Sequence, residues 1–145
     1  MNIHSQKIYD TIVVGAGISG LSAAYHLKKF SPKAEFLVLE GRDNFGGTWD
    51  FFKYPGIRSD SDMHTLGFSF KPWNSRKFIA DGPAIMNYLD ETIEENNLKD
   101  LIKFNMHIES ASWNSVDSLW ELSINNKKLN KLEIIKTKFI QMCAG

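Results

Sequence analysis

Only one cysteine, Cys143, occurs in the 145 residues, so no internal disulfide can form and the chain fits a reducing, cytoplasmic compartment. An excess of either charge is equally lacking: 17 Lys and Arg stand against 17 Asp and Glu. With no net charge and no basic run, nothing provides an electrostatic footprint for nucleic acid or an anionic membrane. Long apolar runs are missing too. The least polar stretch, residues 11–25, is broken by Gly, Ser and Ala and is too short to span a bilayer. The opening MNIHSQKIYD lacks the apolar segment of a secretory signal. His4, His26, His64 and His107 are scattered without metal-ligand spacing, so no metal site is expected. What the chain does have is a 43% hydrophobic share and ten glycines, the ordinary makeup of one globular domain.

The local patterning predicts an α/β chain. Ile8–Val14 is a short β-branched run that ends at glycine and reads as a buried strand. Ile18, Leu21, Ala24 and Leu27 recur at helical spacing, Lys28 and Lys29 sit in the last turn, and Ser31-Pro32 breaks the helix. Residues 35–40 (EFLVLE) form a second apolar strand, which completes a parallel, right-handed βαβ unit. Residues 41–80 show no period, and a loop of that length within a domain is usually functional. A second helix is expected after Asp81-Gly82-Pro83, with Ile85, Leu89 and Ile93 as its apolar stripe. Short strands are expected at 102–106, 108–113, 119–124, 132–136 and 139–143, with hairpin turns at Asn114-Ser115 and Asn125-Asn126. The resulting picture is a Rossmann-like βαβ core with a small antiparallel β excursion before a returning central strand. A strand that runs into Ala144-Gly145 and stops suggests a truncated domain.

Between the first strand and helix lies Gly15-Ala16-Gly17-Ile18-Ser19-Gly20, a GxGxxG. In such a loop Gly15 permits the tight turn, Gly17 lets backbone approach a pyrophosphate, and Gly20 lets helix pack on strand. The helix N-terminus adds unpaired N–H groups and partial positive charge. Glu40, at the end of the second strand and 20 residues past Gly20, is placed to accept ribose hydroxyls and would repel a 2′-phosphate. This first site therefore suits FAD or NAD rather than NADP. Gly46-Gly47-Thr48-Trp49 follows at once; it fits either a flat wall beside a flavin or a glycine turn next to a core tryptophan.

At these residues the sequence resembles the class B flavoprotein monooxygenases, the flavin-containing and Baeyer–Villiger monooxygenases. The segment GGTWDFFKYPGIRSDSDMHTLGFSFKPW, the stretch IADGPAIMNYLDET and the terminal FIQMCAG are most like the ethionamide-activating monooxygenase subgroup. The resemblance spans essentially all 145 residues. It implies that Gly15, Gly17, Ser19 and Gly20 hold the FAD pyrophosphate and Glu40 the adenosine ribose. Gly47, Thr48, Trp49, Asp50 and Phe51 would line the flavin side, and Ile108 would meet the adenine end. Arg58, Ser59 and Asp60 match positions near the nicotinamide of NADPH, with Asp60 beside the flavin and Arg58 and Asp60 as candidate catalytic residues. A cation there can stabilise negative charge and a neighbouring carboxylate can orient it, although a surface ion pair would read the same way.

The resemblance also implies parts that are missing: a second GxGxxG for NADPH, the family's FxGxxxHxxxWP-type fingerprint and its active-site arginine. Residues 1–145 would then be the N-terminal FAD-binding region of a longer enzyme. Its substrates would be O2 and a small ketone, amine or sulfide, and its partner the missing C-terminal part. Two other readings stand beside it: an inert fragment that holds FAD weakly or not at all, and an NAD-dependent dehydrogenase domain. Cys143 has no CxxC partner, which argues against a disulfide reductase and for a buried strand residue.

Overall fold

β-Branched side chains pack well on a pleated backbone, and Ile8–Val14 forms strand β1 as its pattern predicts. The computed structural model describes residues 7–145; residues 1–6, which include His4 and most of the segment read for a leader, lie outside the described residues. Helix α1 (Ile18–Phe30) carries the chain back to β2 (Phe36–Leu39), which lies parallel to β1 with Val13 opposite Val38. Two single-turn helices, α2 (Thr48–Phe51) and α3 (Met63–Leu66), punctuate the aperiodic stretch. Helix α4 (Gly82–Glu95) starts at Asp81, whose carboxylate accepts the Ala84 N–H at 2.9 Å. A 3₁₀ turn then leads into β3 (Ile102–Lys103), β4 (Met106–Asn114), β5 (Leu119–Asn126) and β6 (Lys131–Met142).

These strands make one six-stranded sheet in the order β3-β2-β1-β6-β5-β4. The first four run parallel, and β5 runs antiparallel to both β6 and β4. The α/β class and the Rossmann-like core are as expected, but three details differ. The expected strands at 132–136 and 139–143 are the single strand β6, which pairs with β5 through residues 131–137 and with β1 through 136–142. Lys136-Thr137-Lys138 resembles a polar break only until its partners are known. Thr137 is fully buried, Lys136 Nζ reaches Glu121 Oε1 on β5 at 2.8 Å, and Lys138 Nζ reaches Asp10 Oδ1 on β1 at 2.8 Å. The strand expected at 102–106 stops at Lys103, because Asn105 turns through φ +61° into β4. Asn125 and Asn126 still belong to β5; the turn lies just beyond, where Asn126 Oδ1 accepts the Leu129 N–H at 3.1 Å.

Neighbouring residues on a strand face opposite sides of the sheet, so β1 feeds two cores. Val13 packs with Val38, Leu21, Ala24, Ile85 and Leu89 in the larger cluster. Ile12 packs with Leu39, Leu122 and Ile124 in the smaller one. Both faces of β1 are therefore covered, with Val13 and Ile12 fully buried on opposite sides. The aperiodic stretch joins the larger cluster through stacked aromatics: Tyr25 on Phe70 (ring centroids 3.5 Å apart), Phe70 on Phe68, and Phe68 on Tyr88.

Leu89 is fully buried on the α4 stripe. Leu89→Ala should cost about 2–5 kcal/mol in urea unfolding; a loss within the error of the measurement would show that α4 does not seal the core. The two ion pairs that fasten β6 also predict a pH response. Hydrogen bonds from Lys138 and Lys136 hold the Asp10 and Glu121 carboxyls below their ordinary values of 3.8 and 4.5. Their support is present above those values and is lost as pH falls through the lowered ones. The melting temperature of the wild type should therefore drop below about pH 4, and Lys138→Met with Lys136→Met should make that drop shallower.

Candidate cofactor-binding site

The carboxyl ends of β1, β2 and β6 converge at the start of α1. Gly15 N donates to Leu39 O at 2.8 Å, and Cys143 N donates to Val14 O at 2.9 Å. The backbones meet so closely that side chains are excluded. A Cβ on Gly20 would stand 1.8 Å from Gly15 O, and one on Gly15 would stand 2.5 Å from Cys143 O. Gly15 also has φ +100°, a left-handed conformation that favours glycine.

The second glycine pair closes over this loop. Gly46 N donates to Ala16 O at 2.9 Å, and a Cβ on Gly47 (φ +55°) would lie 3.0 Å from Gly17 Cα. Two glycine turns far apart in sequence thus form one backbone cradle.

Glu40 is anchored at the edge of that cradle. It is 8% exposed, and its Oε2 accepts the Ala16 N–H at 2.8 Å while Oε1 accepts the Arg42 N–H at 3.0 Å. Each oxygen keeps capacity for a further donor. The carboxylate is therefore oriented beside the glycine loop, as ribose recognition requires.

A cleft of about 850 Å³ opens over the cradle. Gly15, Gly17, Ser19 and Glu40 line it, as do Gly47, Thr48, Trp49 and Phe51 beside the second turn, and Ile108 on β4. Gly20 does not line the cleft but seats α1 against Gly15. Asp50 is also absent from the lining; it takes the Asn44 side-chain amide at 2.8 Å and faces Arg42 and Lys53. Arg58, Ser59 and Asp60 lie outside the lining as well. Arg58 forms an isolated β-bridge with Asp81, Ser59 is 1% exposed and exchanges hydrogen bonds with Ala80, and Arg58 and Asp60 are exposed.

Arg42, His107 and Lys127 line the cleft without having been singled out from the sequence. Arg42 lies two residues from Glu40 and was open to discovery there. His107 and Lys127 reach the cleft only through the β4–β5 pairing and through Lys127 Nζ, which donates to Gly41 O at 3.1 Å. Cys143 lines it too, and burial pushes its thiol pKa up, away from a reactive thiolate.

The arrangement fits a dinucleotide. The N-cap of α1 is Gly17, which brings no side-chain oxygen to the first N–H groups of the helix, unlike Asp81 at α4. Those amides, at the positive end of a 13-residue helix, suit a pyrophosphate. The cleft lies at the carboxyl ends of the parallel strands, where β2 and β3 follow β1 on one side and the returning β6 flanks it on the other; nucleotides bind where strand order reverses in open α/β sheets. Aromatic Trp49 and Phe51 on one border and aliphatic Ile108 on another supply apolar walls for flat rings.

Fold and site together define a Rossmann-type dinucleotide-binding unit. The chain belongs to the NAD(P)-binding Rossmann-like domain family, whose model matches residues 13–91. It is 47% identical to the FAD-containing monooxygenase EthA of Mycolicibacterium smegmatis over 137 residues, 94% of this chain and 27% of that protein. It is also 47% identical to the Acinetobacter protein named "Probable FAD-binding monooxygenase AlmA" over 142 residues, 97% of this chain and 28% of that protein. The structure of an oxidized steroid monooxygenase bound to NADP superposes with a TM-score of 0.85 at 27% identity, covering 96% of this chain and 26% of that one. The chain thus spans little more than a quarter of the length of these relatives, and the resemblance to flavoprotein monooxygenases drawn from its motifs stands.

Because Gly15 combines a left-handed backbone with a backbone clash, Gly15→Ala should lower stability by at least about 1 kcal/mol. Gly20→Ala should do so more severely, since its Cβ would stand 1.8 Å from a main-chain carbonyl oxygen against 2.5 Å at Gly15. Thermal melts that leave both variants level with the wild type would contradict the packing at the strand ends.

Proposed function

We propose that residues 1–145 are the N-terminal FAD-binding region of an NADPH- and O2-dependent flavoprotein monooxygenase, whose NADPH-binding and remaining catalytic parts lie in the rest of the protein. In that reaction one atom of O2 enters a ketone or a soft heteroatom, the other leaves as water, and NADPH supplies two electrons. The observation that carries this reading is the double cradle: Gly15–Gly20 and Gly46–Gly47 in backbone contact, with a buried, oriented Glu40 beside them. Its similarity to FAD-containing monooxygenases at 47% identity supports the choice of FAD over NAD.

In this reading Gly15, Gly17 and Ser19 place the α1 amides against the pyrophosphate, and Gly20 fixes the helix that carries them. Glu40 accepts hydroxyls of the adenosine ribose, and Ile108 borders the adenine. Thr48, Trp49 and Phe51 border the flavin ring and exclude water from it. Asp50 serves the flavin side from behind, through Arg42 and Asn44. FAD, when bound, supplies the electron transfer and oxygen activation that no side chain here can perform. Arg58 and Asp60, with Ser59 pinning their loop, are assigned to the nicotinamide side; both are exposed and so accessible to a second cofactor region. The free thiol of Cys143 supports a reducing, cytoplasmic setting. Among the described residues no helix is long and apolar enough to cross a membrane.

A Cβ on Gly17 would meet only an ordinary contact, 3.4 Å from Gly47 Cα, and its backbone is extended. Gly17→Ala should therefore keep the wild-type fold by circular dichroism yet bind FAD at least about tenfold more weakly in flavin-fluorescence titration. A folded wild type with no saturable FAD binding would refute the reading, and NADPH oxidation by these 145 residues alone would refute the division of labour.

A further inference from the structure

Arg42 stands between the two halves of the cleft and touches both. Its Nη2 donates to Gly47 O at 2.9 Å, its Nη1 lies 3.5 Å from Asp50 Oδ2, and its Nε lies 3.7 Å from Glu40 Oε1. The guanidinium also sits over the Phe51 ring, 5.4 Å from its centroid. The backbone beneath it is held at both ends, by Arg42 N on Glu40 Oε1 at 3.0 Å and by Asn105 N on Arg42 O at 2.8 Å. Asp50 is in turn held by the Asn44 amide, so the guanidinium faces a braced carboxylate.

We propose that Arg42 is a positioning residue: its guanidinium fork sets the Gly46–Gly47 turn at a fixed distance from Glu40 and so keeps the cleft in the shape that receives FAD. This rests on the FAD reading above. Two physical reasons support it. A planar fork can donate to a carbonyl from one nitrogen while its other nitrogens face two carboxylates, an arrangement a compact ammonium does not match. Glu40 also places a nearly buried negative charge beside the glycine loop that a dianionic pyrophosphate would approach, and Arg42 is a cation that offsets it. The inference also accounts for Asp50, which faces Arg42 instead of the cleft.

The test uses the full 145-residue chain with two readouts: FAD affinity by flavin-fluorescence titration, and amide hydrogen exchange without FAD. Arg42→Gln should weaken FAD binding at least about tenfold and speed exchange at residues 46–49, while β1 and α4 stay as protected as in the wild type. Arg42→Lys, which keeps the charge and loses the fork, should recover less than half of that loss on a logarithmic scale. Full recovery by Arg42→Lys would overturn the fork, and unchanged exchange at residues 46–49 in Arg42→Gln would overturn the positioning role. If the wild type binds no FAD but Arg42→Gln still loosens the turn, the latch is upheld and the cofactor reading is what fails.

Discussion

At the carboxyl end of β1, three stretches of main chain lie within van der Waals contact, and at Gly15 and Gly20 hydrogen is the only side chain that fits between them. Gly20 abuts the carbonyl of Gly15, Gly15 abuts the carbonyl of Cys143, and Gly47 abuts the backbone of Gly17. Everything around the cleft follows from that contact. It brings the start of α1 up to the strand ends, it brings β6 alongside β1, and it lets a turn from the aperiodic loop cover the first glycine loop. A methyl group at Gly15 or Gly20 would push these elements apart and widen the cleft, because protein interiors deform little around added volume.

Electrostatics completes what the close approach begins. The cleft has to receive an anionic ligand although it holds the nearly buried carboxylate of Glu40. The carboxylate is balanced by backbone N–H groups and by Arg42, whose remaining reach extends to Gly47 and Asp50. Charge balance and loop position are therefore handled by the same side chain. Farther from the cleft along β6, Lys136 and Lys138 play a plainer part by fastening the strand to its two neighbours.

The exposed surface is consistent with a unit that works as part of something larger. Phe139 and Met142 on β6 are 72% and 65% exposed, close to a cleft that is open on one side. The relatives are nearly four times as long, and the steroid monooxygenase structure aligns with 96% of this chain at a TM-score of 0.85.

The βαβ core, the glycine loop, Glu40 and the α4 stripe could all be read directly from the chain, because each rests on local signals: a β-branched run, a helical period, a proline in a helix's first turn, a glycine where backbone must turn. Asp50 and Lys136-Thr137-Lys138 could not be read in that way. Asp50 faces Arg42 and Asn44 because the loop folds back on itself, and the two lysines interrupt nothing because β5 and β1 present carboxylates to them. His107 and Lys127 reach the cleft through strand register, which depends on partners tens of residues away. The sequence by itself determined the class of ligand, since phosphate and ribose recognition are carried by short contiguous motifs. Only the tertiary structure decided the shape of the cleft, since that depends on contacts between segments that local propensity cannot bring together.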